Sequence, residues 1–128
     1  MKAKAKAHSQ AAPQEAAVMT KATLRAADRL GIRSSVLAKI VGVSEATVSR
    51  MRKGEYIFER GQKSFELAIL FVRLYRSLDA IVGGDDTIAA AWLKNENTAL
   101  QRAPLELVQK ITGLIDVIAY LDARRAVV

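Results

Sequence analysis

The chain has 128 residues, 51% hydrophobic but only 5% aromatic, with a net charge of +7, one histidine and no cysteine. That is the size of one domain or two very small ones, and its alanine- and leucine-rich apolar content favours helices over sheets. The lack of cysteine excludes disulfides and thiolate metal sites and accords with a reducing cytoplasm, and the longest apolar run, Leu67 to Val72, is far shorter than the roughly 20 residues of a membrane span.

Residues 1–13 are Lys, Ala, Gln, Ser and His ending at Pro13, with nothing to bury at regular spacing. They are expected to be a disordered basic tail, in which His8 has no specific role. From Gln14 the pattern turns helical, with Val18, Leu24, Ala27 and Leu30 as an apolar stripe and Gly31 as C-cap. A short helix from Ser34 to Val41 follows, capped by Ser34 or Ser35 and broken by Gly42. Ser44 then caps a third helix, Glu45 to Lys53, which Gly54 ends.

After a connector the longest helix is predicted over about Gln62 to Val82. It is apolar almost all round, so it must be covered on more than one side, either as a central core helix or through a homodimer or partner interface. Gly83-Gly84 ends it, and Asp85-Asp86 start a helix reaching about Leu93, with Trp92 as a core anchor. Asn95 to Ala103 reads as a polar connector and Pro104 as the first turn of a helix over Leu105 to Lys110. Thr112 or Gly113 is expected to break that helix before a last one carrying Leu114, Val117, Ile118 and Leu121. The expected fold is all-α, with a helix-turn-helix DNA-binding domain over 14–63 and a small helical domain over 64–128.

The stretch from Ser34 to Lys53 is the most informative. Ala38, Gly42 and Val48 stand at the offsets of a helix-turn-helix: a small residue for close crossing, a glycine for positive φ in the turn, and a β-branched residue pointing back into the crossing. With Val48 and Met51 in the core, Ser44, Glu45, Thr47, Ser49, Arg50 and Lys53 are expected to face outward, toward a major groove. Arg50 is the candidate for a bidentate contact to guanine, Thr47 and Ser49 for bases or phosphates, and Glu45 for cytosine or the helix end. Arg33, Ser34, Arg52, Lys53 and the Ser44 helix start are candidates for the phosphate backbone. Charge supports this reading: residues 21–63 hold ten Lys/Arg against four Asp/Glu, whereas residues 64–128 hold seven against eight. Double-stranded DNA, read by a homodimer on an inverted repeat, is the expected partner. With one histidine in a tail and no paired carboxylates in an apolar setting, no catalytic, metal or cofactor site is expected.

The chain also resembles a known family. Residues from about Gln14 to Lys63 look like an Xre-type antitoxin DNA-binding domain. Trp92-Leu93, Asn95, Leu100, Pro104-Leu105-Glu106-Leu107, Gly113, Val117 and Leu121 resemble the C-terminal domain of the MbcA/ParS/Xre antitoxins. The resemblance implies a type II toxin–antitoxin system whose toxin is a RES-domain protein, similar in fold to ADP-ribosyltransferases and consuming NAD. The antitoxin would obstruct the toxin's active site with its C-terminal region and repress the shared operon. Arg124, Arg125 and the Val128 carboxylate are then candidates to enter the toxin's cofactor pocket. The competing readings are a stand-alone repressor with a ligand- or protein-sensing C-terminal domain, and a structural partition or chromosome-organising adaptor.

Overall fold

The computed structural model describes residues 2–127, with side chains from Gln14 to Ala126. Among the described residues, seven helices make up the all-α fold: α1 (Lys2–Arg29), α2 (Ser34–Val41), α3 (Glu45–Arg52), α4 (Lys63–Ile81), α5 (Asp86–Lys94), α6 (Pro104–Leu107) and α7 (Ile111–Val127). Among the described residues, extended pairing is confined to an isolated bridge between Asn97 and Arg102. The expected order, a helix-turn-helix followed by a second helical region, is the observed one.

The backbone of α1 begins at Lys2, where the sequence reading places a tail without structure. Alanine and lysine are strong helix formers, and prolonging an existing helix avoids the cost of nucleating one. The expected apolar stripe is also shifted: Val18 is 66% exposed, while Ala16, Thr20, Thr23, Ala26, Ala27 and Leu30 face the core. Two threonines can lie there because their hydroxyls are satisfied locally. Thr20 Oγ1 donates to the Ala16 carbonyl (2.7 Å) and Thr23 Oγ1 to the Met19 carbonyl (2.8 Å). Thr20 Oγ1 also accepts from the Phe58 backbone N–H (3.0 Å), which pins the α3–α4 connector across α1 and seats the fully buried Phe58 ring. An exposed ion pair, Arg60–Glu15 (2.8 Å), closes the same seam.

Helix α2 ends at Gly42, whose φ of 72° lets its N–H return to the Ala38 carbonyl. A Cβ on Gly42 would come within 3.3 Å of Leu67 Cδ1, so the turn also lies close against α4. Val48 and Leu37 are wholly buried and Met51 nearly so, forming the small core of the α2–α3 crossing.

Helix α4 is the shared support. Leu67, Ala68, Phe71, Val72, Leu74, Ser77 and Leu78 are buried along it. It packs against α1 and α2 on the side of the helix-turn-helix, and against α5 and α7 on the other. Its nearly all-round apolar character is thus explained by its central place in the core. Buried residues from Ala26 to Leu121 form one cluster that runs across the boundary expected at residue 64.

The C-terminal helices differ from expectation at one junction. Helix α6 stops at Leu107, Val108 to Lys110 turn, and α7 already begins at Ile111, so Thr112 and Gly113 lie inside it. Gly113 is there because the α6 carbonyl at Leu107 sits against it; an added Cβ would fall 2.0 Å from that oxygen. The Leu114 N–H donates to the Lys110 carbonyl (2.9 Å), carrying the helix through the glycine. Across the same region Trp92, half-buried, stacks on Tyr120 with ring centroids 6.2 Å apart.

Gly113→Ala is therefore expected to destabilise the protein by about 2–3 kcal/mol, because two backbones must separate to admit one methyl group. Urea denaturation followed by Trp92 fluorescence reads this loss; an unchanged midpoint would show that the α6–α7 contact is not tight.

Candidate nucleic-acid interface

The recognition surface is built on α3, held by the α2–α3 crossing. Ser44 precedes the helix in extended conformation, and its Oγ accepts from the Thr47 backbone N–H (3.0 Å), the expected cap. Glu45, Ser49, Arg50 and Lys53 are exposed, as the outward face requires, and Lys53 forms the C-cap rather than the last helical residue.

Thr47 departs from the expected pattern. It is only 9% exposed, and its hydroxyl is within 2.9 Å of Ser44 Oγ and accepts from Arg50 Nη2 (3.0 Å). A residue one turn before Arg50 on the same helix face falls under the guanidinium, and its hydroxyl is consumed there. Thr47 thus orients Arg50 instead of presenting itself to a base. The other guanidinium N–H groups of Arg50 stay available for the O6 and N7 acceptors of a guanine.

The residues read as backbone contacts also divide. Arg33 occupies the N-cap position of α2 and is exposed, but its side chain makes no cap hydrogen bond. Neither Ser34 nor Ser35 is the cap: Ser34 is already the first helical residue, and its hydroxyl accepts from Arg52 Nε (3.1 Å). The first N–H groups of α2 therefore lack a side-chain cap and suit a phosphate oxygen. Arg52 is committed elsewhere: Nη1 pairs with Asp28 Oδ1 at 3.1 Å, tying α3 to α1. Asp28 was not singled out from sequence, since a partner 24 residues away in the chain leaves no local signal. Arg33, Ser44, Glu45, Ser49, Arg50 and Lys53 remain the exposed members of the predicted set with no hold outside their own helix, and the Ser44 hydroxyl is occupied by the cap.

At the C-terminal end, Arg124 and Arg125 are both exposed but do not share a face, being adjacent residues about 100° apart on a helix. Arg124 lies over the Tyr120 ring, 5.8 Å from its centroid, and Nη1 is 3.3 Å from the Tyr120 hydroxyl. Arg125 Nη1 donates to Ser77 Oγ (3.2 Å) on α4. Val128 lies outside the described residues. Among the described residues, no group of three or more His, Asp or Glu could hold a metal ion, and no helix is long and apolar enough to cross a membrane.

Two family models match this chain. An antitoxin Xre-like helix-turn-helix domain matches residues 9–73, and an antitoxin Xre/MbcA/ParS C-terminal toxin-binding domain matches residues 77–126. No curated protein matches it.

Thr47→Val keeps the shape of the side chain but removes the acceptor under Arg50. Preference for specific over non-specific duplex is expected to fall by about 3- to 10-fold, the value of one hydrogen bond, with Thr47→Ser close to the original protein. Fluorescence anisotropy on a duplex selected for tight binding and on its scrambled counterpart measures it; equal loss on both would assign Thr47 a purely structural role.

Proposed function

From the premise that this chain belongs to the antitoxins with an Xre-like helix-turn-helix domain and an Xre/MbcA/ParS C-terminal toxin-binding domain, we propose that it neutralises a RES-domain, NAD-consuming toxin by direct binding and represses its own operon. The observation that carries this reading is the joining of both matched regions on one helix, α4, with the recognition face of α3 left open. In this reading the protein acts in the cytoplasm. As a homodimer it sets two α3 helices into successive major grooves of an inverted repeat.

On DNA, Arg50 reads a guanine, with Ser49 and Glu45 beside it. Arg33, Lys53 and the open start of α2 hold the phosphate backbone, while Ser44, Thr47, Ser34 and Arg52 fix the shape of the reading head. The exposed cations support a strong electrostatic share of the affinity, hence steep salt dependence. On the toxin, Arg124 and Arg125 are exposed donors at the end of the matched region, and together with the Val128 carboxylate they are proposed to obstruct the cofactor pocket. Arg125 must give up its hydrogen bond to the buried Ser77 to do so, while Ser77 keeps its bond to Asp122.

Co-expression with the product of the adjacent gene, followed by sizing of the complex, tests the reading; failure to form any complex would remove it. Within such a complex, removal of residues 124–128 is expected to restore toxin activity, measured as NAD loss, and full neutralisation by the truncated chain would refute the C-terminal mode of blockade. Arg50→Ala is expected to weaken operator binding by about 1–3 kcal/mol with little effect on scrambled DNA, whereas Lys53→Ala should weaken both and lower the salt slope by about one.

A further inference from the structure

A trough of about 710 Å³ runs between α1, α4 and α7 on a face separate from α3. Ile69, Val72, Arg73 and Arg76 line it from α4 at helical spacings of three and four, so they form one stripe. Asp122 and Arg125 line it from α7 and Met19 from α1. Three guanidiniums thus face one carboxylate. Arg73 is paired with Asp122, and the buried Ser77 donates to Asp122 Oδ1 (3.1 Å) while accepting from Arg125. That network holds Arg73 in place before any ligand arrives, whether or not Arg125 keeps its bond to Ser77. Among the described residues, neither Arg76 nor Arg125 has a carboxylate within ion-pair distance.

The trough is also apolar, and longer than a small anion needs. Ile69 is 41% exposed, and Met19 lines a second hollow with Val18, itself 66% exposed, further along α1. A fixed excess of positive charge beside exposed aliphatic side chains matches an extended protein segment that offers both carboxylates and apolar residues. A second copy of this chain docked symmetrically would set the same arginines against each other, which opposes it.

We infer that this trough is where the toxin docks, through an acidic and partly apolar segment, an inference that rests on the antitoxin reading above. It extends the toxin-binding surface beyond residues 77–126 to Arg73, Arg76 and Ile69 on α4 and to Met19 and Val18 on α1. Because Asp28 of α1 also anchors Arg52 of α3, the toxin face is then linked through α1 to the helix that reads DNA.

Titration calorimetry of the full chain with the adjacent gene's product, at low and at moderate salt, tests this. Arg76→Glu and Ile69→Asp are each expected to weaken the complex by about 10-fold or more, with wild-type affinity falling as salt rises. Their melting temperatures and DNA binding, read on the same preparations, should match the wild type and so exclude misfolding. If the wild type binds and both folded variants bind equally well, the trough is not the docking site, although the antitoxin reading stands. If the wild type fails to bind, both fall. A change in the chain's own oligomeric state with unchanged toxin affinity would mark the trough as a self-association face and overturn the inference.

Discussion

The structure depends on covering α4. A 19-residue helix with buried side chains on most of its circumference cannot stand at a surface, and each large apolar side chain removed from water contributes on the order of 1.5–3 kcal/mol. Here α1 and α2 cover one side and α7 another. One consequence is positional. The helix-turn-helix lies against α4 through Leu67, next to Gly42, and α7 lies against it through Ser77, so buried residues of both halves join in one cluster. A second is electrostatic: with most of the large apolar side chains inside, exposed cationic side chains stand on α3 and, separately, along the α4–α7 trough.

Much of the fold was legible because its signals are local. Gly42 and Gly54 mark their turns through positive φ and Ser44 marks the start of α3 through its side-chain cap, and α2 and α3 fall within a residue of expectation. What was not legible is what depends on distant partners. Thr20 and Thr23 look polar in sequence, yet they lie in the core because a carbonyl four residues back, and for Thr20 the Phe58 N–H as well, satisfy them. Val18 looks like core, but it is 66% exposed. Gly113 reads as a breaker, and only the nearby Leu107 carbonyl shows that it is a point of close approach within a helix.

The candidate site divides in the same way. Periodicity alone put Ser49, Arg50 and Lys53 outside, and they are outside. It could not show that Thr47 and Arg52 are bound to their own framework, since that needs the Arg50 and Asp28 positions in space. Arg50 is steadied from beneath by Thr47, and α3 is steadied against α1 by Arg52. A recognition helix braced in this way loses less side-chain entropy on binding than one with free arginines. The C-terminal arginines are likewise held, one by an aromatic ring and one by a buried serine, before any partner arrives.

The central claim is that reading DNA and holding a toxin are tasks of one folded unit organised by α4. Trp92 is the only tryptophan and lies in the C-terminal half, so its fluorescence reports that half while far-UV circular dichroism reports all helices and operator binding reports α3. Equilibrium unfolding in urea followed by the three signals should give one coincident transition. Loss of the Trp92 signal at a midpoint clearly separate from the loss of operator binding would show two independent domains and contradict the account.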